Sequence, residues 1–223
     1  MANDALQSIP RPLLLREEPR LPSPFAPLGG ADGEGSLLAL QVSRAWTSEV
    51  LGGLAPGLLA AGSSLFCVDG GNSFDPYAFS TFARRAAREE RDLLRRVRVT
   101  RAFTIHQLEA AAREMLEPLA ALRPRPFVAL LGLDHLFLEE TLPLAERRRV
   151  LARVLASLHR MREAGLSIVA THDPPLDGRG WWKPLVDAQA DAHGTVTRED
   201  TGGTRLHLRR PGGRGSPFGG LPR

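Results

Sequence analysis

The chain has 223 residues, 43% of them hydrophobic and 24% charged, which is the composition of a globular protein able to bury one substantial core. It contains no apolar run of about 18 residues and no signal-peptide pattern at its start, so the sequence predicts no contact with a membrane. A single cysteine, Cys67, excludes an internal disulfide and is expected to be a buried thiol of a cytoplasmic protein. The net charge of +4 is compatible with nucleic-acid binding but does not require it.

Both ends of the chain differ in composition from the middle. Residues 1–27 are rich in proline and are expected to form an extended arm, in which Leu13–Leu15 is a candidate docking segment. Residues 211–223 are rich in Gly, Pro and Arg and are expected to be disordered. The sequence therefore predicts one globular domain over residues 28–210.

A glycine-rich stretch, residues 28–40, has the rhythm of the phosphate-binding loop G-x-x-x-x-G-K-[ST]. The spacing of apolar residues predicts that a helix over residues 36–51 follows it. Ser36 and Leu37 occupy the positions of the lysine and the hydroxyl residue. Two interpretations are open: a weakened phosphate site that relies on backbone N–H groups, or a simple turn. The candidate cofactor-binding residues are Gly30, Gly33, Gly35 and Ser36.

Apolar runs typical of buried strands alternate with amphipathic helices along the middle of the chain. The strand-like runs are residues 63–71, 97–103, 126–137 and 166–173, and the helical ones are 75–97, 104–122 and 142–165. Asp75 and Thr104 are expected to cap helices at their N-termini, and Gly165 is expected to end one. This alternation predicts an α/β fold with a mostly parallel sheet covered on both faces.

Polar residues follow several of these strands, where parallel sheets place their ligand sites, and the acids among them are expected to share one crevice with the glycine-rich loop. Asp134 ends the run 128–134 in the form of a Walker B element, whose carboxylate holds a metal ion. Asp69 is either a second catalytic acid or the cap of a turn. His172, followed by Asp173, either senses a terminal phosphate or caps a loop.

The segment after the last of these strands combines cations with aromatic rings. Within residues 177–183 the candidate nucleic-acid contacts are Arg179, Trp181, Trp182 and Lys183. The two indoles could stack on bases, or they could be packing residues of the core. Two short strands are expected on either side of Gly202–Gly203.

Taken in order, these pieces resemble the ATPase core of the RecA/RadA recombinases and their paralogs, over residues 28–210. The stretch "VRVTRAFTIHQL", residues 97–108, is similar to the strand, Arg-Ala-Phe and His-Gln segment of the RadA branch. "LFCVDGGNSFDPYAF" resembles the family's acid-Gly-x-Phe-x-Pro turn, and "FVALLGLDHLF" resembles its Walker B strand. "DAQADAHGTVTREDTGGTRLHLRRPGG" is similar to its closing hairpin.

The resemblance implies a RecA-like P-loop NTPase sandwich of three layers with a C-terminal β-hairpin. It implies ATP and Mg²⁺ as cofactors, with the metal at Asp134, and single-stranded DNA, a recombinase or further copies of the chain as partners. In the family the nucleotide lies between protomers, so Lys183 or Arg179 of a neighbouring copy could replace the missing cation.

Three departures from the family pattern bear on activity. The Walker A lysine is absent, Gly70 or Gly71 stands where the catalytic glutamate is expected, and His172 or Asp173 stands at the sensor amide. Each lost catalytic group is worth roughly 10²–10⁴-fold in rate. We therefore expect weak or absent ATP hydrolysis.

Three functions are compatible with these residues. The first is a DNA repair or recombination accessory protein with a degenerate nucleotide site. The second is a non-catalytic scaffold that binds a recombinase or a polymerase-associated protein through its N-terminal arm. The third is an active ATPase with a non-standard phosphate loop.

Overall fold

A computed structural model describes seven stretches of the chain, and several predicted features lie outside them. The described stretches are residues 35–59, 63–85, 90–138, 141–174, 180–198, 204–209 and 216–217. The predicted arm at 1–27 and the candidate residues Gly30, Gly33 and Arg179 lie outside the described residues, as does all of the predicted tail except 216–217.

One mixed sheet forms the centre of the molecule. Its strands are β1 (Ser36–Gln41), β2 (Leu65–Asp69), β3 (Val97–Arg101), β4 (Phe127–Leu131), β5 (Ser167–His172), β6 (Ala192–Arg198), β7 (Thr204–Arg209) and the short β8 (Ser216–Pro217). Their order across the sheet is β3-β2-β4-β5-β1-β6-β7-β8. The first six strands in that order pair in parallel, and β7 pairs antiparallel with both β6 and β8. The predicted α/β fold with a mostly parallel sheet is confirmed, and so is the predicted strand pair around Gly202–Gly203.

Helices cover both faces of this sheet. They are α1 (Thr47–Leu58), α2 (Pro76–Arg85), α3 (Glu90–Arg95), α4 (Ile105–Ala110), α5 (Leu144–Glu163) and α6 (Lys183–Asp187). Asp75 accepts hydrogen bonds from Tyr77 N–H and Ala78 N–H, which confirms it as the cap of α2. Thr104 accepts one from Gln107 N–H and so caps α4. Gly165, with φ +87°, follows the end of α5 as predicted.

The prediction of a helix over residues 36–51 is wrong in its first half, because residues 36–41 form β1 at the centre of the sheet. Leu37 and Ala39 enter the core beneath α5, while Leu38 and Leu40 enter the core beneath α1. A strand buried on both faces is apolar at nearly every position. Such a short run has no periodicity that distinguishes it from a buried helix.

The two cores flank the sheet. One contains side chains of α4, α5 and α6, and the other contains side chains of α1, together with Phe74 and Phe79. Cys67 is buried in the second core, as predicted, and burial raises the pKa of its thiol. Within the described residues, no helix is both long and apolar enough to span a membrane.

Candidate functional site

The glycine-rich loop does not reach the edge of the sheet where the polar residues gather. Ser36 pairs with Ser167 at the amino end of β1, and its N–H donates to Leu166 O at 3.2 Å. A Cβ on Gly35 would lie 2.6 Å from Leu166 O, so Gly35 permits close packing against the end of α5. The expectation that Gly35 and Ser36 share a crevice with Asp69 and Asp134 is therefore wrong. Those two acids lie at the carboxyl ends of their strands, which is the opposite edge.

In the P-loop arrangement that the resemblance implies, the phosphate loop would be the connection from β1 to α1, residues 42–46, which contains neither glycine nor lysine. The first two residues of α1, Thr47 and Ser48, are buried. Ser48 Oγ donates to Ser73 O at 2.8 Å and accepts from Asp75 N–H at 2.6 Å. The hydroxyl at the start of the helix thus ties α1 to the loop after β2 and is not free for a metal ion. The apolar run that forms β1 was the signal in the sequence for a loop and a helix start after residue 41. The prediction of a helix over residues 36–51 assigned this run to a helix, and so the position was missed.

Hydrogen bonds join the loops that follow β1, β4 and β5. The Asp173 carboxylate accepts from Arg44 N–H at 2.7 Å, and Asp173 N–H donates to Asp134 Oδ1 at 3.3 Å. Thr171 Oγ1 accepts from Gly132 N–H at 2.9 Å. The Asp173 carboxylate therefore occupies a backbone N–H just before α1, near the end of the helix that favours negative charge.

The loops after β2 and β4 touch through two glycines. A Cβ on Gly132 would lie 2.7 Å from Gly71 Cα, and Gly132 has φ +63°. Gly70 N–H and Gly71 N–H both donate to Leu131 O, at 2.9 and 3.2 Å. A side chain at Gly71 would press on Gly132 Cα at 3.2 Å. At Gly71, one of the two positions where the resemblance predicts a glutamate, even a Cβ would thus require the neighbouring backbone to shift by a few tenths of an ångström.

Asp69 organises the turn that follows β2. Its carboxylate is buried and accepts from Ser73 N–H at 2.9 Å, Ser73 Oγ at 3.2 Å and Phe74 N–H at 2.9 Å. Arg101 Nε lies 3.9 Å from its Oδ2. Of the two interpretations of Asp69, this geometry agrees with the turn cap, because both oxygens already bind groups of the chain.

Asp134 is a buried acid, and its hydrogen bonds offset only part of the cost of burying its charge. Burial raises the pKa of its carboxyl group to about 6, while hydrogen bonds from backbone N–H groups, first that of Asp173, act in the opposite direction. A buried acid whose pKa is raised in this way is a candidate for a functional position.

We predict that Asp134→Asn raises the free energy of unfolding at pH 7 by about 2–3 kcal/mol, because the neutral amide avoids burying a charge. The folded-state pKa exceeds the unfolded one, so the cost to the wild type is complete above about pH 6 and disappears as the pH falls towards 4. Burial lowers the pKa of His172, so this residue makes the free energy of unfolding fall as the pH falls. Because both proteins contain His172, its contribution cancels when their free energies of unfolding are subtracted. Urea denaturation of both proteins at pH 7 and at about pH 4 measures this difference. A difference that does not shrink with falling pH would contradict the assignment.

His172 belongs to the packing of the fold. It is buried, its Nδ1 lies 2.9 Å from Asp173 O, and its ring meets Trp182 edge-on at 4.9 Å. Trp182 is 1% exposed, so the prediction that it stacks on nucleic-acid bases is wrong, and its alternative as a packing residue is correct.

The other described residues of the predicted nucleic-acid set, Trp181 and Lys183, are also engaged within the fold. Lys183 Nζ lies 2.5 Å from Asp187 Oδ2. Trp181 is half-buried, packs edge-on against Phe137 and carries the Arg148 guanidinium 5.9 Å from its ring centroid. Residues 180–183, the described part of this segment, therefore present less free cationic and aromatic surface than the sequence predicts.

The residues at this edge do not fit ATP and Mg²⁺ in the manner that the resemblance implies. The Arg44 N–H and the Ser48 hydroxyl are bonded within the chain, and Asp134 accepts from a backbone N–H. In the part of the chain that the structure describes, no three His, Cys, Asp or Glu side chains form a group that could hold a metal ion. No protein-family model matches the sequence, and neither does any curated protein.

Proposed function

We propose that the chain is a RecA/RadA-like accessory protein of DNA repair or recombination that does not hydrolyse ATP. The mostly parallel sheet and its β6–β7 hairpin support the RecA-like assignment, as does the position of Asp134 just after β4. The stretch most similar to the RadA branch forms β3 and the start of α4, on adjoining elements.

One observation carries the absence of hydrolysis: the Asp173 carboxylate is bonded to Arg44 N–H beside the start of α1. A phosphate group would have to displace this carboxylate, and like charges repel at short range. Gly70 and Gly71 support the same conclusion, since neither carries a carboxylate that could activate water at the position where the family has its glutamate. Hydrolysis of a phosphoanhydride depends on positioned charge and an oriented water, and Asp69, the described acid at the end of β2, is bonded within its own turn instead.

The same observation favours a role through binding rather than through catalysis. The scaffold alternative, in which the arm at 1–27 binds a recombinase or a polymerase-associated protein, is compatible with the same feature. We call this feature the closed edge: the carboxyl edge of the sheet, where the Asp173 carboxylate is bonded to Arg44 N–H. The two differ only in whether the arm or the globular domain makes the important contact.

Deleting the gene in its host tests the proposal. We expect the deletion to raise sensitivity to DNA-damaging agents, and we expect Asp134→Asn to restore resistance as fully as the wild type, because no metal-dependent step is lost. A full-length chain with Leu13, Leu14 and Leu15 changed to alanine separates the alternatives, since its failure to restore resistance favours the arm. A deletion strain with unchanged resistance to DNA damage would contradict the proposed role.

A further inference from the structure

Positive charge is concentrated in the segments of the chain that precede β3 and β4. Residues 84–98 contain seven arginines and three acids, and their net charge of +4 equals that of the whole chain. The segment before β4 adds Arg123 and Arg125 and contains no acid between residues 121 and 127. The positive charge of the molecule is therefore a local feature and not a general excess.

The strand register places these two segments on either side of β2, at the amino edge of the sheet. Leu65, the first residue of β2, pairs with Val97 in β3 and with Phe127 in β4. Its N–H donates to Arg96 O at 2.8 Å, and Phe127 N–H donates to Ser64 O at 2.8 Å. Because neighbouring strands lie about 4.8 Å apart, the backbones that enter β3 and β4 are separated by about 10 Å. Both groups of arginines thus border one edge, at the opposite end of the strands from the closed edge.

Several of these arginines are accessible to a partner. Arg96 is paired with Asp92 at 2.9 Å, and Arg123 is exposed and donates only to backbone carbonyls of its own segment. Three other arginines are exposed, and no ion pair joins them to an acid within the described part of the chain: Arg91, Arg95 and Arg98. We call the four exposed side chains, Arg91, Arg95, Arg98 and Arg123, the basic edge.

We propose that the basic edge binds the phosphate backbone of double-stranded DNA without reading its sequence; this rests on the proposed role in DNA repair. A duplex carries one negative charge per roughly 1.7 Å of its length. A fully extended acidic peptide reaches about half that density, at one residue per roughly 3.3 Å. Arginines on backbones about 10 Å apart can contact phosphates on both sides of a groove that is about 6–12 Å wide.

The side chains at this edge disfavour a single strand or a protein as the occupant. Single strands bind largely by stacking their bases on exposed rings, and no aromatic side chain is exposed among the described residues of 84–98 and 121–127. A protein partner would bury exposed apolar side chains such as Leu122, which lies beside Arg123 and is 47% exposed. A duplex held by its phosphates has no use for that side chain, so Leu122 distinguishes the two partners.

Fluorescence anisotropy of the full-length protein with a labelled DNA duplex, and with a single strand of the same length, tests the basic edge. We expect salt-sensitive binding to duplexes of any sequence. Arg95→Ala and Arg98→Ala should each weaken it by about threefold or more and reduce the slope of log K against log salt by about 0.9. Arg149→Ala is the matched control, because it removes an exposed arginine near the start of α5, which follows the carboxyl end of β4. Arg149→Ala and Leu122→Ala should leave the affinity unchanged.

Thermal unfolding of each variant verifies that the fold is retained, as expected for exposed positions. Duplex binding that Arg95→Ala and Arg98→Ala weaken no more than Arg149→Ala does would overturn the proposed surface. Absence of duplex binding by the wild type, or tighter binding of the single strand, would overturn the proposed partner. Each of these results would leave the effect of the gene deletion on DNA-damage resistance as a separate test of the proposed function.

Discussion

Changing Asp69 to alanine is expected to lower the free energy of unfolding by about 3–5 kcal/mol. The carboxylate is buried and accepts three hydrogen bonds, of which those from Ser73 N–H and Phe74 N–H would lose their partner inside the protein. Each buried donor left without a partner costs roughly 1–3 kcal/mol, and loss of the turn would also disturb the link to Ser48. Urea denaturation at pH 7 measures the effect.

Asp75→Ala is the matched control, because it removes an exposed carboxylate from the same turn. It should cost only about 1 kcal/mol, the value of a helix cap. Equal effects of the two substitutions, or an Asp69→Ala protein as stable as the wild type, would contradict the structural role of Asp69.

The sequence is informative where local chemistry alone decides the structure. Asp75 before Pro76, Thr104 three residues before Gln107, and Gly165 after a long amphipathic run predict helix ends that the structure contains. These features depend on neighbouring backbone groups and need no knowledge of the tertiary fold. The parallel sheet follows in the same way from buried runs that alternate with helices.

The sequence is misleading where long-range packing decides. Residues 36–41 have apolar positions compatible with a helix, but burial between two layers makes them the central strand, and this moves Gly35 to the other edge of the sheet. Nothing in a linear pattern reveals that Gly71 contacts Gly132 or that Asp173 reaches Arg44, since these pairs are far apart in the chain. Trp182 likewise resembles an exposed stacking residue until its burial against His172 is known.

These long-range contacts change the interpretation of the missing Walker A lysine. A single lost cation could be replaced by Lys183 or Arg179 from a neighbouring copy, as the resemblance allows. In this protein, however, Lys183 is paired with Asp187, and the carboxylate of Asp173 is bonded where a phosphate would enter. Binding of a nucleotide in the manner that the resemblance implies would therefore require rearranging several loops and not just adding one charge.

The second prediction with a large expected effect is that the wild-type protein does not bind ATP. With the Asp173 carboxylate bonded at Arg44 N–H and the Ser48 hydroxyl tied to the loop after β2, an entering phosphate finds both of these donors occupied and meets a negative charge. We expect no saturable binding of ATP up to about 1 mM, which corresponds to a binding free energy weaker than about −4 kcal/mol. Mg²⁺ should make no difference, because Ser48 offers it no free hydroxyl.

The most direct test is titration of the full-length protein with a labelled ATP analogue, with and without Mg²⁺. The closed edge predicts a signal that rises without saturation and does not respond to excess unlabelled ATP. Saturable, Mg²⁺-dependent binding that unlabelled ATP displaces and that Asp134→Asn abolishes would contradict it.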